Sequence, residues 1–134
     1  MIRIDLSQPI YQQIMDGITK KVVRGELVPG DQIPSQREMA QLLRVSPNTV
    51  QRAYRDLEAL GVVHTLRGQG TFIRAAPDLI GSLREEMLRR AVTGFAREMR
   101  SLACGREDIL RALEDEIKRG DDGDGTSSDD DRHQ

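Results

Sequence analysis

Two helix starts separated by almost no connector constrain this fold more than anything else in the chain. Ser35-Gln-Arg-Glu38 is a capping box, with a hydroxyl at the first position and a carboxylate three residues later. It opens a short helix to Leu43, with Met39, Leu42 and Leu43 as apolar anchors. Only Arg44 and Val45 intervene before Ser46-Pro-Asn-Thr, a second cap with proline at the first helical position. The helix so begun spans 46–60, is expected to bury Val50, Ala53, Tyr54, Leu57 and Leu60, and stops at Gly61. Helix, tight turn, helix is the pattern of a helix-turn-helix.

The flanks complete a domain over residues 1–76. Upstream, Ser7-Gln-Pro-Ile reads as a cap with proline in the first turn, and Ile10, Ile14, Ile18 and Val22 recur every four residues before Gly25. Downstream, the β-prone runs 62–66 and 71–73 surround Arg67-Gly-Gln-Gly70 and read as a small hairpin. The whole is mainly α with a small β-hairpin, a winged helix-turn-helix.

From Asp78 the pattern changes. Leu79, Ile80, Leu83, Met87, Leu88, Ala91, Phe95, Met99 and Leu102 form a stripe at three- and four-residue spacing. A helix of about 24 residues would carry it for roughly 36 Å. Gly105 interrupts, and Ile109, Leu110, Leu113 and Ile117 mark a shorter helix to about Arg119. Two helices alone cannot hide both stripes from water, so residues 77–119 are expected to form a two-helix dimerisation region. Leu83, Met87, Ala91, Phe95, Met99, Leu102, Leu110 and Leu113 are its expected homodimer interface. Residues 120–134 hold no apolar side chain and are expected to be a disordered acidic tail.

Charge partitions the same way. Residues 1–76 hold ten Lys/Arg against seven Asp/Glu, residues 77–119 nine of each, and residues 120–134 one Arg against six Asp. The net charge of −2 therefore belongs to the tail and covers a mildly basic N-terminal unit. One Cys excludes an internal disulfide, and two His with one Cys are too few for a Cys/His metal cage. No apolar run is long enough to span a membrane, and the N-terminus lacks a signal-peptide pattern, so a cytoplasmic location is expected. Neither metal nor cofactor is expected. Asp122-Gly-Asp124-Gly-Thr126-Ser127 lacks the later glycine and the terminal Glu of a calcium loop. His64 reads as a structural side chain beside the hairpin, and Cys104 as a small apolar filler.

Residues 10–73 resemble the DNA-binding domain of GntR-family transcriptional regulators. Six motifs match in order: Gly25-Glu-Leu, Pro29-Gly-Asp, Pro34-Ser-Gln-Arg-Glu, Ser46-Pro-Asn-Thr-Val, Leu57-Glu-Ala-Leu-Gly and Arg67-Gly-Gln-Gly-Thr-Phe. With only two short helices after the domain, the chain is similar to the YtrA-like subfamily. That resemblance implies a dimeric regulator, most often a repressor, acting on transporter-type operons. It also implies that Arg37 contacts DNA.

The residues support that reading by their chemistry. The second helix of such a pair enters the major groove by its N-terminal end, here Ser46-Pro-Asn-Thr. Asn48 can read adenine through two hydrogen bonds, Thr49 can touch a phosphate or a thymine methyl, and Gln51 and Arg52 lie in the next turn. Ser46 and Pro47 also serve as ordinary helix-start residues. Ser35 and Arg37 open the preceding helix, over the sugar–phosphate backbone; the competing role for Arg37 is a surface pair with Glu38 or another surface acid. Arg67, between flexible Gly68 and Gly70, can enter a minor groove, with Gln69 and Thr71 adding phosphate or sugar contacts. Gly68-Gln-Gly70 is no dinucleotide fingerprint, because no helix follows it.

The expected partners are a near-palindromic double-stranded operator and a second copy of the chain. A small-molecule effector, if one exists, would bind between the domains or at the dimer interface, near Met87, Phe95 and Met99. The alternative is a winged-helix interaction module that binds no DNA, which steep salt dependence of DNA binding would exclude. Catalysis is not expected. No Ser/His/Asp, Cys/His or paired-carboxylate arrangement is present, and the 58 residues after Ala76 cannot form the aminotransferase-like domain of some relatives.

Overall fold

The computed structural model describes residues 2–124. Its elements are α1 (Ile10–Val23), β1 (Gln32–Ile33), α2 (Gln36–Leu43), α3 (Pro47–Ala59), β2 (Val63–Leu66), β3 (Gly70–Ile73), α4 (Pro77–Ser101) and α5 (Arg106–Asp124). The chain divides into two compact units, one through Leu88 and one from Arg89. The expected boundary at 76/77 moves into α4, because Leu79, Ile80 and Leu83 pack against the core of the first unit.

That core fills the space between α1, α3 and a three-stranded antiparallel sheet ordered β1-β3-β2. Ile14, Val50, Ala53 and Leu57 are fully buried, and Ile18, Val22, Ile33, Tyr54, Val63 and Ile73 nearly so. Each large member contributes about 1.5–3 kcal/mol by leaving water. The Tyr54 hydroxyl donates to the Pro34 carbonyl at 2.5 Å, which ties α3 to the residue before the α2 cap.

Several local expectations change. Ser7 does not cap α1; the helix begins after Pro9 with no side-chain cap. Instead the Ser7 N–H and hydroxyl both donate to Asp5 Oδ1, at 3.0 and 2.7 Å. These bonds, the backbone one foremost, hold the Asp5 carboxyl below its usual range. Leu42 and Leu60 are 59% and 50% exposed, not buried. Leu42 lies off the stripe made by Met39, Ala40 and Leu43, while Leu60 falls at the cap after α3 has ended. The hairpin gains a third strand, since β1 pairs with β3 in the register Gln32↔Phe72 and Ile33↔Thr71.

The tight turn of the helix pair rests on Arg44, held in the left-handed region at φ 55°. Such a conformation costs a non-glycine residue about 1–2 kcal/mol. The α4–α5 break likewise turns on Ala103, at φ 54°, rather than on Gly105. Helix α5 continues past Arg119 through Asp124, because the end of the apolar stripe at Ile117 does not end its backbone hydrogen bonding. Of the expected tail, 125–134 lie outside the described residues. Among the described residues no helix is long and apolar enough to cross a membrane, and no cluster of three metal-ligating side chains occurs.

Candidate nucleic-acid interface

Helix α3 starts as its sequence dictates. Ser46 is the N-cap, its hydroxyl oxygen accepting from the Asn48 N–H at 3.3 Å, and Pro47 follows. The cap spends Ser46 locally and leaves the Asn48 and Gln51 side chains exposed on the first turn and a half. Thr49 is half-buried beside them. Arg52 is exposed but not loose: its guanidinium carbon lies 3.7 Å from the centre of the Tyr11 ring. Ile10, Tyr11, Asn48, Thr49 and Arg52 line one shallow concavity of about 310 Å³. Tyr11 is one of the residues that sequence reasoning missed. In a chain with 3% aromatics, an aromatic standing off the Ile10/Ile14/Ile18 stripe was the available signal.

Helix α2 supplies the second part. The capping box forms in full, with the Ser35 hydroxyl accepting from Glu38 N–H at 3.1 Å and Glu38 Oε1 accepting from Ser35 N–H at 3.4 Å. Glu38 is thereby turned back on its own helix. Among the described residues Arg37 has no ion-pair partner, so the surface pair with Glu38 does not form and the cation faces solvent.

The wing is the third part. Gln69 N–H donates to Leu66 C=O at 2.9 Å, closing a turn whose central residues are Arg67 and Gly68. Both are exposed, as is Gln69. Gln32 on β1 braces this turn, its amide donating to the Gln69 carbonyl at 3.2 Å. Gly70 has φ +131°, which favours glycine, and a Cβ there would sit 2.3 Å from Gln32 Nε2 and push that side chain's amide aside. Thr71 departs from expectation. It is 3% exposed, with its hydroxyl 3.1 Å from that of Thr65, because the pleat turns it towards the core. It is unavailable for a phosphate or sugar contact. His64, half-buried, faces Phe72 across the strands with ring centres 6.0 Å apart.

The expected dimer residues divide between the two units. Leu83 packs against the core of the first unit and Met87 is half-buried near that unit's end. In the second unit Ala91 is exposed, Phe95, Leu102, Leu110 and Leu113 are 40%, 60%, 47% and 41% exposed, and Met99 is half-buried. Ala91, Phe95, Ile109 and Leu113 help line an apolar groove of about 470 Å³. Cys104 is a half-buried free thiol in the α4–α5 turn.

Residues 10–73 match the family model for bacterial regulatory proteins of the gntR family. The chain is 45% identical over 107 residues to the HTH-type transcriptional regulator YhcF of Bacillus subtilis, an alignment covering 80% of this chain and 88% of YhcF. The chain belongs to the GntR family. It is 47% identical over 75 residues to the HTH-type transcriptional repressor YtrA of the same organism, covering 54% of this chain and 58% of YtrA. A solved GntR-family regulator from Listeria monocytogenes aligns with a TM-score of 0.74 at 34% identity, over 84% of this chain and 98% of that one. Within the family the chain is YtrA-like, a DNA-binding regulator rather than an enzyme.

Proposed function

We propose that this GntR-family chain is a dimeric repressor of a near-palindromic operator. Asn48 and Gln51 read base edges in the major groove, Arg52 reaches a guanine or phosphate, and the helix N-terminus and Thr49 hold the backbone. Ser35 and Arg37 grip the flanking phosphates, and Arg67, Gly68 and Gln69 enter the minor groove, with Gly70 setting the wing's bend. Thr71 is left out of this set because it is buried. The observation that carries the reading is the exposed Asn48/Gln51/Arg52 group on α3 together with the exposed Arg37 on α2, each cation free of a carboxylate partner among the described residues.

The repressor role is supported by similarity to a protein named as a repressor, YtrA. Dimerisation is supported by the uncovered apolar groove in the second unit and by Leu88, Val92 and Ile117, which are 64%, 56% and 56% exposed. A second copy is the occupant that a symmetric operator calls for, with the two α3 helices about one helical turn, ~34–36 Å, apart. An effector at the Met87, Phe95 and Met99 positions would have to share that face with the dimer contact.

The test is a titration of the full chain against its own upstream DNA, with random DNA as competitor, at two salt concentrations. Selective binding that weakens steeply with salt supports the reading. No binding at low salt overturns it and leaves an interaction module.

A further inference from the structure

Gly17 stands in the middle of α1, where glycine costs a helix roughly 0.5–1 kcal/mol relative to alanine. It makes room for Ile2: a Cβ on Gly17 would lie 2.5 Å from the Ile2 side chain. Ile2 in turn borders two adjacent clefts, both within the first unit. One has a volume of about 200 Å³ and is walled mainly by apolar side chains, among them Ile18, Leu27, Ile33, Met39 and the exposed Leu42. The other, about 340 Å³, gathers Arg3, Lys20, Lys21 and Arg24 around a single acid, Asp16. Arg24 is partly taken by Glu26, at 3.0 Å, and Asp16 by Gln12, at 3.1 Å. Lys21 borders both clefts.

We infer that the paired clefts bind a small amphiphilic anion, with its alkyl chain in the apolar cleft and its carboxylate on Lys20 and Lys21. The apolar cleft is below the roughly 300–1,000 Å³ of drug-sized sites, which limits the apolar part to a short chain. The site is separate from the α4–α5 groove. Its wall includes Gln32 and Ile33 of β1, and Gln32 is the residue that braces the wing through the Gln69 carbonyl at 3.2 Å. A chain seated against β1 displaces Gln32, loosens Arg67 and weakens operator binding. This last step rests on the proposed DNA reading; the binding step does not.

The test is calorimetric titration of the full chain, without DNA, using sodium hexanoate, heptanoate and octanoate, with acetate and octanol as controls. The expected result is saturable binding that tightens about fourfold per methylene, the equivalent of about 0.8 kcal/mol. Acetate should not bind, and octanol should bind more weakly than octanoate. Lys20→Gln with Lys21→Gln should reduce octanoate binding to the octanol level, and Leu42→Gln should weaken both ligands. Both variants alter solvent-reaching side chains, and unchanged circular dichroism would show them folded. No saturation at millimolar octanoate, or identical titrations for wild type and folded Leu42→Gln, overturns the site. In operator binding, octanoate should lower wild-type affinity severalfold and leave Gln32→Ala unaffected. An unmoved wild type overturns the coupling. Failure of every form to bind DNA counts against the proposed function and leaves the calorimetric result standing.

Discussion

Removing one oxygen atom from Tyr54 should separate the helix pair from its anchor. The Tyr54 side chain is 2% exposed and its hydroxyl donates to Pro34 C=O at 2.5 Å. Pro34 directly precedes the α2 cap, so the bond fixes where α2 starts relative to α3. Tyr54→Phe keeps the ring and its packing but removes the donor. Losing the bond and leaving the carbonyl poorly solvated costs about 1–2 kcal/mol. For a domain of this size that lowers Tm by roughly 5–15 °C, at about 4–8 °C per kcal/mol. Burial, helped by the Glu38 charge, raises the Tyr54 pKa above its usual value near 10. The folded state therefore holds the proton more tightly than the unfolded state. The resulting stability is complete below pH 10 and falls as pH rises beyond it. Thermal melts by circular dichroism at pH 7 and at stepped alkaline pH read both effects. Tyr54→Phe should melt lower at pH 7 and lose less stability than wild type above pH 10. A Tm within 1 °C of wild type, or parallel alkaline profiles, would refute the anchoring role.

Three further outcomes follow from the geometry. Gly70→Ala should weaken operator binding more than it destabilises the fold, because its Cβ drives into Gln32 and unseats the wing; equal loss in a melt and a DNA titration would contradict that. Tyr11→Leu should lower affinity about two- to fivefold through loss of the Arg52 stacking contact, and Tyr11→Phe should restore it, as measured by fluorescence anisotropy. Phe95→Asp or Leu110→Asp should break the dimer and weaken operator binding together, and a variant that sediments as a dimer would show the interface to be elsewhere. Leu83→Asp is a poorer test, since Leu83 packs on the core of its own unit and its loss would destabilise that unit directly.

What the sequence displayed was whatever local chemistry or periodicity enforces. The capping box at Ser35, the Ser46-Pro47 start and the four-residue spacing of Ile14, Ile18 and Val22 each act within one or two turns. The starts of α2 and α3 and the buried stripe of α1 formed as written, although Ser7 did not cap α1. What stayed hidden depends on partners distant in sequence. Strand β1 is two residues long and exists through pairing with β3, so it carries no period of its own. Arg44 and Ala103 adopt positive φ where no glycine advertises a turn. Thr71 looked like a wing residue until the register turned its hydroxyl towards Thr65. At the candidate interface, Asn48, Gln51, Arg37 and Arg67 are exposed, as the proposed DNA contacts require, and their places on the helix starts and the wing turn were readable in the sequence. The supports behind them, Tyr11 under Arg52 and Gln32 under the wing, required the fold.

In the proposed complex α3 reads bases while α2 holds the backbone, and one paired measurement separates the two roles. Asn48→Ala and Arg37→Ala should be titrated against operator and random DNA across a salt series. Asn48→Ala should cut the operator-to-random ratio by about 5- to 150-fold, the worth of one bidentate base contact, and leave the salt slope unchanged. Arg37→Ala should weaken binding to both DNAs alike and reduce the salt slope by about one. If Asn48→Ala retains full discrimination, or Arg37→Ala alters the ratio and not the slope, the assignment of reading and holding to these two helices is wrong.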